Sequence, residues 1–176
     1  MRKLKNSELH RIDVEEFKKT AKIPLIVVLD NIRSLNNIGS VFRSSDAFRI
    51  EKIYLCGITA QPPHRDIHKT ALGATESVDW EHVEDTVKLI EKLKSDHVIT
   101  LAVEQAENSL KLNDFHPKTN QKYAVVMGNE VDGVQQSVIN ACDYVLEIPQ
   151  IGTKHSLNIS VCTGVVLWDL FSKMKS

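Results

Sequence analysis

The chain has 176 residues, 42% of them hydrophobic, and a formal net charge of −1. That is enough apolar material for one domain with a proper core. The charge balance excludes gross electrostatic capture of nucleic acid but leaves room for a local basic patch. Three cysteines (Cys56, Cys142 and Cys162) are odd in number and follow no paired-ligand spacing, which predicts reduced, mostly buried thiols in a cytoplasmic protein. The amino terminus has no run fit for a secretory signal. The apolar stretch near the carboxyl end is interrupted by Asn158, Ser160, Thr163 and Asp169, so no membrane span is expected.

Residues 1–22 hold seven basic side chains (Arg2, Lys3, Lys5, Arg11, Lys18, Lys19, Lys22) against four acidic ones. They read as a basic extension with a helix at 14–21, serving either as a solvated amphipathic segment or as an RNA-facing arm. Residues 23–176 read as one domain. Apolar, β-branched runs at 25–29, 52–56, 98–103, 123–127 and 144–148 predict strands. Helical patterns are expected at 38–48, 83–94, 134–140 and 157–174. This alternation predicts an α/β fold, a mostly parallel sheet flanked by helices. The stretch 57–77, with Pro62-Pro63, is expected to be a surface loop. The last helix has no clear polar face, so it must be covered all round. A subunit interface is one explanation and a central core helix is the other, with Ser160 and Gly164 giving room for another backbone.

Three strand-to-helix junctions concentrate polar groups. In an open α/β sheet, ligands bind at the carboxyl ends of the strands. In the first, Asn36 or Asn37 can cap a helix. Gly39 precedes Arg43 by one turn and opens space near a guanidinium suited to gripping phosphate, although an Arg43–Asp46 surface pair would explain the same residues. The second junction, Gly128-Asn129-Glu130-Val131-Asp132-Gly133, is neither a Walker loop nor a dinucleotide fingerprint. Its glycines permit a tight turn, and Glu130 either caps the next helix or meets a ligand or partner subunit. The third runs from Ile148 through Ser156, Leu157 and Asn158 to Val161. Here Ser156 is a candidate N-cap and Asn158 a first-turn polar residue. His64 and His68 stand four apart without further ligands in the sequence, so no metal site is expected.

Asn37-x-Gly39-x-x-x-Arg43 followed by Asp46-Ala47-Phe48, Gly128-Asn129-Glu130-x-x-Gly133, and Ile148-Pro149 through Ser156-Leu157-Asn158-x-Ser160-Val161 together resemble, in order, the three motifs of the SpoU–TrmH family of RNA ribose 2′-O-methyltransferases. The resemblance spans roughly residues 25–170. It departs at Arg49, where a glycine often stands, and at Ser34-Leu35, in place of a common Asn-Pro. It implies a carboxyl-terminal trefoil knot, S-adenosyl-L-methionine as cofactor and a homodimer with sites at the interface. Carried over residue by residue, Gly128, Ile148 and Leu157 would touch the cofactor, with Ala102 or Val103 also in reach. Arg43 would act with Ser156, Asn158 and Glu130 in catalysis. Asn37, Arg43 and the basic residues Arg2, Lys3 and Arg11 would face RNA, with tRNA favoured over rRNA. Two other readings compete: an idle RNA-binding protein on the same scaffold, and a small-molecule-binding domain unconnected with methylation.

Overall fold

The computed structural model describes residues 1–175. After helix α1 (Val14–Lys19), the chain runs β1 (Ile23–Asp30), α2 (Leu35–Ala47), β2 (Ile50–Cys56), α3 (Arg65–Ala71), α4 (Ala74–Ser77), β3 (Trp80–Val83) and α5 (Thr86–Ser95). It continues through β4 (Ile99–Val103), β5 (Leu110–Lys111), β6 (Tyr123–Met127), α6 (Gln136–Ala141), β7 (Tyr144–Glu147) and α7 (Ile159–Lys175). The seven strands form one sheet in the order β3-β2-β1-β6-β4-β7-β5, with every pairing parallel.

Alternation along the strands divides the core in two, because successive side chains of a strand point to opposite faces. Leu25, Val27 and Leu29 of β1 join Phe42 of α2, Ile67 of α3 and Val166 and Leu167 of α7 on one face. Ile26 and Val28 join Leu89, Ile90 and Leu93 of α5 and Val138 of α6 on the other. Strands apolar on both faces are what a sheet covered by helices on both sides requires.

Several expectations need correction. The stretch 57–77 is not simply a loop, since it contains α3 and α4. Sequence patterning missed them because both are shorter than two full periods, and α3 is capped by the His64 ring, whose Nδ1 accepts from the Asp66 N–H at 3.1 Å. Val83 ends a strand rather than starting a helix, and α5 begins at Thr86 behind an Asp85 cap. The short edge strands β3 and β5 carried no alternation strong enough to read.

The cap of α2 is Ser34, whose hydroxyl accepts from the Asn37 N–H at 3.3 Å, not Asn36 or Asn37. Arg49, standing where the family often has glycine, has φ +51°. That is the left-handed conformation that a glycine adopts without strain. Helix α7 is not a central core helix: within one chain Thr163, Val166, Leu167 and Leu170 are buried, whereas Val161, Val165 and Trp168 are 55%, 41% and 58% exposed.

Gly39 does create room, but helix α3 fills it. A Cβ there would lie 2.1 Å from Thr70 Oγ1 and 2.3 Å from the Ile67 carbonyl oxygen. Thr70 Oγ1 also donates to the Asn36 carbonyl at 3.0 Å, which locks the two helices together. Gly39→Ala is expected to lower unfolding free energy by about 1–3 kcal/mol, the usual range for overpacking. A urea midpoint unchanged from wild type would show that the helix pair tolerates the methyl.

Candidate functional site at the carboxyl ends of the strands

The carboxyl ends of β4, β6 and β7 open into a cavity of about 470 Å³, a volume typical of small-molecule sites. Val103, Met127, Ile148, Leu157, Ile159 and Cys162 give it apolar walls. Glu104, Asn129, Glu130, Asp132, Ser156 and Asn158 add polar groups.

The 128–133 loop is tied down locally. Asn129 and Gly133 exchange two backbone hydrogen bonds of 3.1 Å each, and Asn129 Oδ1 accepts from the Val131 and Asp132 N–H groups at 2.9 and 2.8 Å. This fold-back requires Gly128, because a Cβ there would sit 2.0 Å from the Gly133 carbonyl carbon. Gly133 takes φ +69°, which explains the second glycine.

Glu130 does not cap the following helix. Its carboxylate reaches back to the start of α2, accepting from the Arg33 and Ser34 N–H groups at 3.1 Å each and from Asn37 Nδ2 at 2.9 Å. Asn37 Oδ1 in turn accepts from Asn158 Nδ2 at 3.3 Å. Asn158 is the cap of α7: its Oδ1 accepts from the Ser160 N–H at 2.9 Å and Oγ at 2.7 Å, and its carbonyl accepts from the Cys162 N–H at 2.8 Å. Ser156 is therefore not the cap. It lines the cavity with no hydrogen-bond partner among the described residues. One carboxamide, that of Asn37, joins all three junctions.

Other expected site residues are placed differently. Gly128, Ile148, Leu157 and Val103 line the cavity, but Ala102 turns into the opposite core and does not. Arg43 is exposed on α2, outside the cavity, with no hydrogen bond or ion pair among the described residues. The competing Arg43–Asp46 pair is absent among the described residues, and Asp46 instead accepts from the Ser77 hydroxyl. Arg2 is held by Glu8 through contacts of 2.9 and 2.7 Å. Neither it nor Lys3 or Arg11 lines the cavity, and α1 leads into β1 at the amino end of the sheet. Sequence reading missed Glu104 and Gln105. Glu104 Oε2 accepts from the Val134 N–H at 3.0 Å, and Gln105 Nε2 donates to the His155 carbonyl. The segment 148–158 thus lies against the ends of both β4 and β6, an arrangement consistent with a threaded carboxyl-terminal chain.

Cys56 is buried, and Cys142 and Cys162 are half-buried. Burial pushes Cys56 up to about 12, and Cys142 and Cys162 up to about 11.

A doubly covered parallel sheet with a cavity where three polar junctions meet, at the carboxyl ends of its strands, defines an α/β domain with a candidate ligand site. The chain belongs to the SpoU rRNA methylase family, whose model matches residues 24–168. It is 26% identical over 160 residues to a protein of Staphylococcus epidermidis assigned to the TrmH tRNA/rRNA methyltransferases, covering 91% of this chain and 63% of that one. It is 27% identical to the 23S rRNA (guanosine-2′-O-)-methyltransferase RlmB of Haemophilus ducreyi, covering 93% and 65%. The chain thus spans a little under two thirds of the length of these relatives. The fold matches an AdoMet-bound rRNA methyltransferase from Sinorhizobium meliloti with a TM-score of 0.81 at 23% identity, covering 91% of this chain and 61% of that one. No helix among the described residues is long and apolar enough to cross a membrane.

Burial works against ionisation of Glu130, but the Asn37 amide and the backbone N–H groups of Arg33 and Ser34 outweigh it and hold the carboxyl below its usual range. A depressed folded pKa contributes stability that is fully present above the unfolded value of about 4.3 and is lost as pH falls through the folded one. Glu130→Gln is therefore expected to flatten the acid limb of the stability curve, measured by urea midpoints from about pH 3 to about pH 7. An acid limb as steep as that of wild type would mean that the Glu130 contacts do not hold in solution.

Proposed function

We propose that the protein is an S-adenosyl-L-methionine-dependent RNA ribose 2′-O-methyltransferase acting as a homodimer, with tRNA as the favoured substrate class over rRNA. The observation that carries this reading is the convergence of three separate segments, through Asn37, on one cavity. The cavity fits the cofactor chemically. Apolar walls suit an adenosyl group, and its lining carries three carboxylates (Glu104, Glu130, Asp132), one imidazole (His155) and no lysine or arginine, which suits a cationic sulfonium. Val103, Gly128, Ile148 and Leu157 would hold it.

When bound, the cofactor supplies an activated methyl group for displacement by a ribose 2′-oxygen. The chain must supply alignment and a route for the hydroxyl proton. Ser156 has an uncommitted hydroxyl at the cavity and would orient the ribose. Asn158 and Glu130 act through structure: both are committed to the network that fixes the loops, so they are positioning residues rather than acid–base groups. Arg43 is poorly suited to be the base. Deprotonating a guanidinium more than about 5 units above neutrality costs roughly 7 kcal/mol. It serves instead as a fork that grips an RNA phosphate and stabilises the developing alkoxide, while the proton leaves to phosphate or water.

Arg43 is outside the cavity of its own chain, so it would work on the donor held by a partner subunit. Support comes from α7. Its exposed stripe of Val161, Val165 and Trp168 continues onto the end of α2, where Phe48 meets Trp168 and Phe171 with ring centroids 5.8 and 5.2 Å apart. A Cβ on Gly164 would meet nothing within 4 Å, so another backbone has room there. The tRNA preference rests on the basic start, where Lys3, Lys5 and Arg11 have no ion pair among the described residues while Arg2 is engaged by Glu8.

Arg43→Ala is expected to bind S-adenosyl-L-methionine normally by calorimetry, yet to transfer labelled methyl to unmodified tRNA at least about 100-fold more slowly, the scale seen when a transition-state charge donor is removed. Arg43→Lys with near-normal turnover would refute the planar clamp. Mixed dimers of Arg43→Ala with a cavity-blocked Leu157→Trp partner should regain activity if Arg43 acts across the interface, and none if it acts within its own chain. Methyl transfer to rRNA but not tRNA would replace the substrate assignment.

A further inference from the structure

We propose that Glu104 is a specificity-determining residue of the cavity, favouring a donor that carries a sulfonium charge over the uncharged thioether left after transfer. This rests on the S-adenosyl-L-methionine reading above and deepens it. Three carboxylates line the cavity, and no lysine or arginine does. Two of them are engaged elsewhere, one by three hydrogen bonds at the start of α2 and one by a guanidinium. Glu130 is turned toward the N–H groups that open α2, and Asp132 lies 3.8 Å from the Arg33 guanidinium. Glu104 has no cation within ion-pair distance among the described residues. Its oxygens accept only from the Val134 N–H at 3.0 Å and the Gln105 N–H at 2.9 Å. Each carboxylate oxygen can accept a further bond, so the charge is fixed in position and left unneutralised.

The chain makes structural room for this group. A Cβ on Gly133 would lie 2.1 Å from Glu104 Oε2.

The donor and the spent product differ by one methyl group and one positive charge. The donor's ammonium, carboxylate and sulfonium sum to +1, whereas the thioether product is neutral overall. A fixed negative charge therefore attracts the donor more than the product, and the attraction vanishes when the methyl leaves. The same carboxylate that holds the donor favours release of what remains. In a partly solvated cavity one such charge is worth about 3- to 10-fold in relative affinity, and less at high salt.

The test is calorimetry of wild type and Glu104→Gln with three ligands: S-adenosyl-L-methionine, S-adenosyl-L-homocysteine, and an analogue bearing a protonated amine in place of the sulfonium. Glutamine keeps a carbonyl acceptor for the Val134 N–H. The expected result is that Glu104→Gln weakens the two cationic ligands about 3- to 10-fold more than the neutral one. Equal weakening of all three would reduce Glu104 to a loop brace and overturn the proposal. Should the variant fail to fold, salt dependence of wild type decides. Between about 50 and about 500 mM salt, the cationic ligands must lose affinity relative to the neutral one; parallel losses overturn the proposal. Wild type binding none of the three would refute the cofactor reading itself, a result distinct from equal weakening.

Discussion

The Asn37 carboxamide is the joint on which the site depends. Glu130 offers only acceptors when ionised, so Asn37 must turn its amide nitrogen toward it and its oxygen toward Asn158. That orientation fixes the next one. Asn158 must present its nitrogen to Asn37, which leaves its oxygen for the unpaired N–H groups at the start of α7. A single donor–acceptor polarity thus runs from a carboxylate on the 128–133 loop, through the first turn of α2, to the amino end of α7. No other amide arrangement satisfies all the partners at once. Asn37, Glu130 and Asn158 are therefore committed to one another, while Ser156, Leu157 and Glu104 line the cavity.

The rest of the fold explains why such a joint is possible. Parallel strands end together, and β1, β6 and β4 are paired in register up to Leu29, Met127 and Val103. The loops that follow β6 and β4 therefore leave the sheet side by side, within reach of the loop that follows β1. The close approach of Gly128 to Gly133 then bends the 128–133 loop back on itself, so that Glu130 points toward α2 rather than outward. Burial fixes the sheet, and the sheet fixes where the loops start. Hydrogen bonds only choose among the few paths left.

Much of this was legible in the sequence because long apolar strands announce themselves. β1, β2, β4, β6 and β7 carry β-branched or apolar residues on both faces, and the three polar junctions stand out against them. What could not be read depends on contacts distant in the chain. Gly39 looked like space near Arg43, yet its neighbour is α3, some 30 residues later in sequence. Ser156 and Asn158 are both good caps by composition, and only the direction of the Asn37 amide decides between them. Ala102 and Val103 are equally apolar, and strand parity relative to the two cores assigns Val103 to the cavity. Glu104 lies outside all three motifs. Its role follows from the missing Cβ of Gly133, which no local pattern reveals.

The charge distribution bears on assembly. The near-neutral total conceals a cavity with three carboxylates and no lysine or arginine among its lining residues. On the reading proposed above, a polyanionic RNA must bring its ribose to the rim of that acidic cavity. Bringing like charges together is unfavourable unless a cation is interposed, and in the cavity's own chain the Arg33 guanidinium, 3.8 Å from Asp132, answers one of the three carboxylates. Arg43, exposed and unpaired among the described residues on a helix beside the open apolar stripe of α7, is a cation of the right kind in the wrong place for its own cavity. Two-fold pairing through that stripe would cover the apolar surface and carry the guanidinium toward the neighbouring cavity in one step. Assembly and RNA capture would then be the same electrostatic requirement, with the acidic wall selecting the cationic donor and the partner's arginine making the wall approachable for RNA.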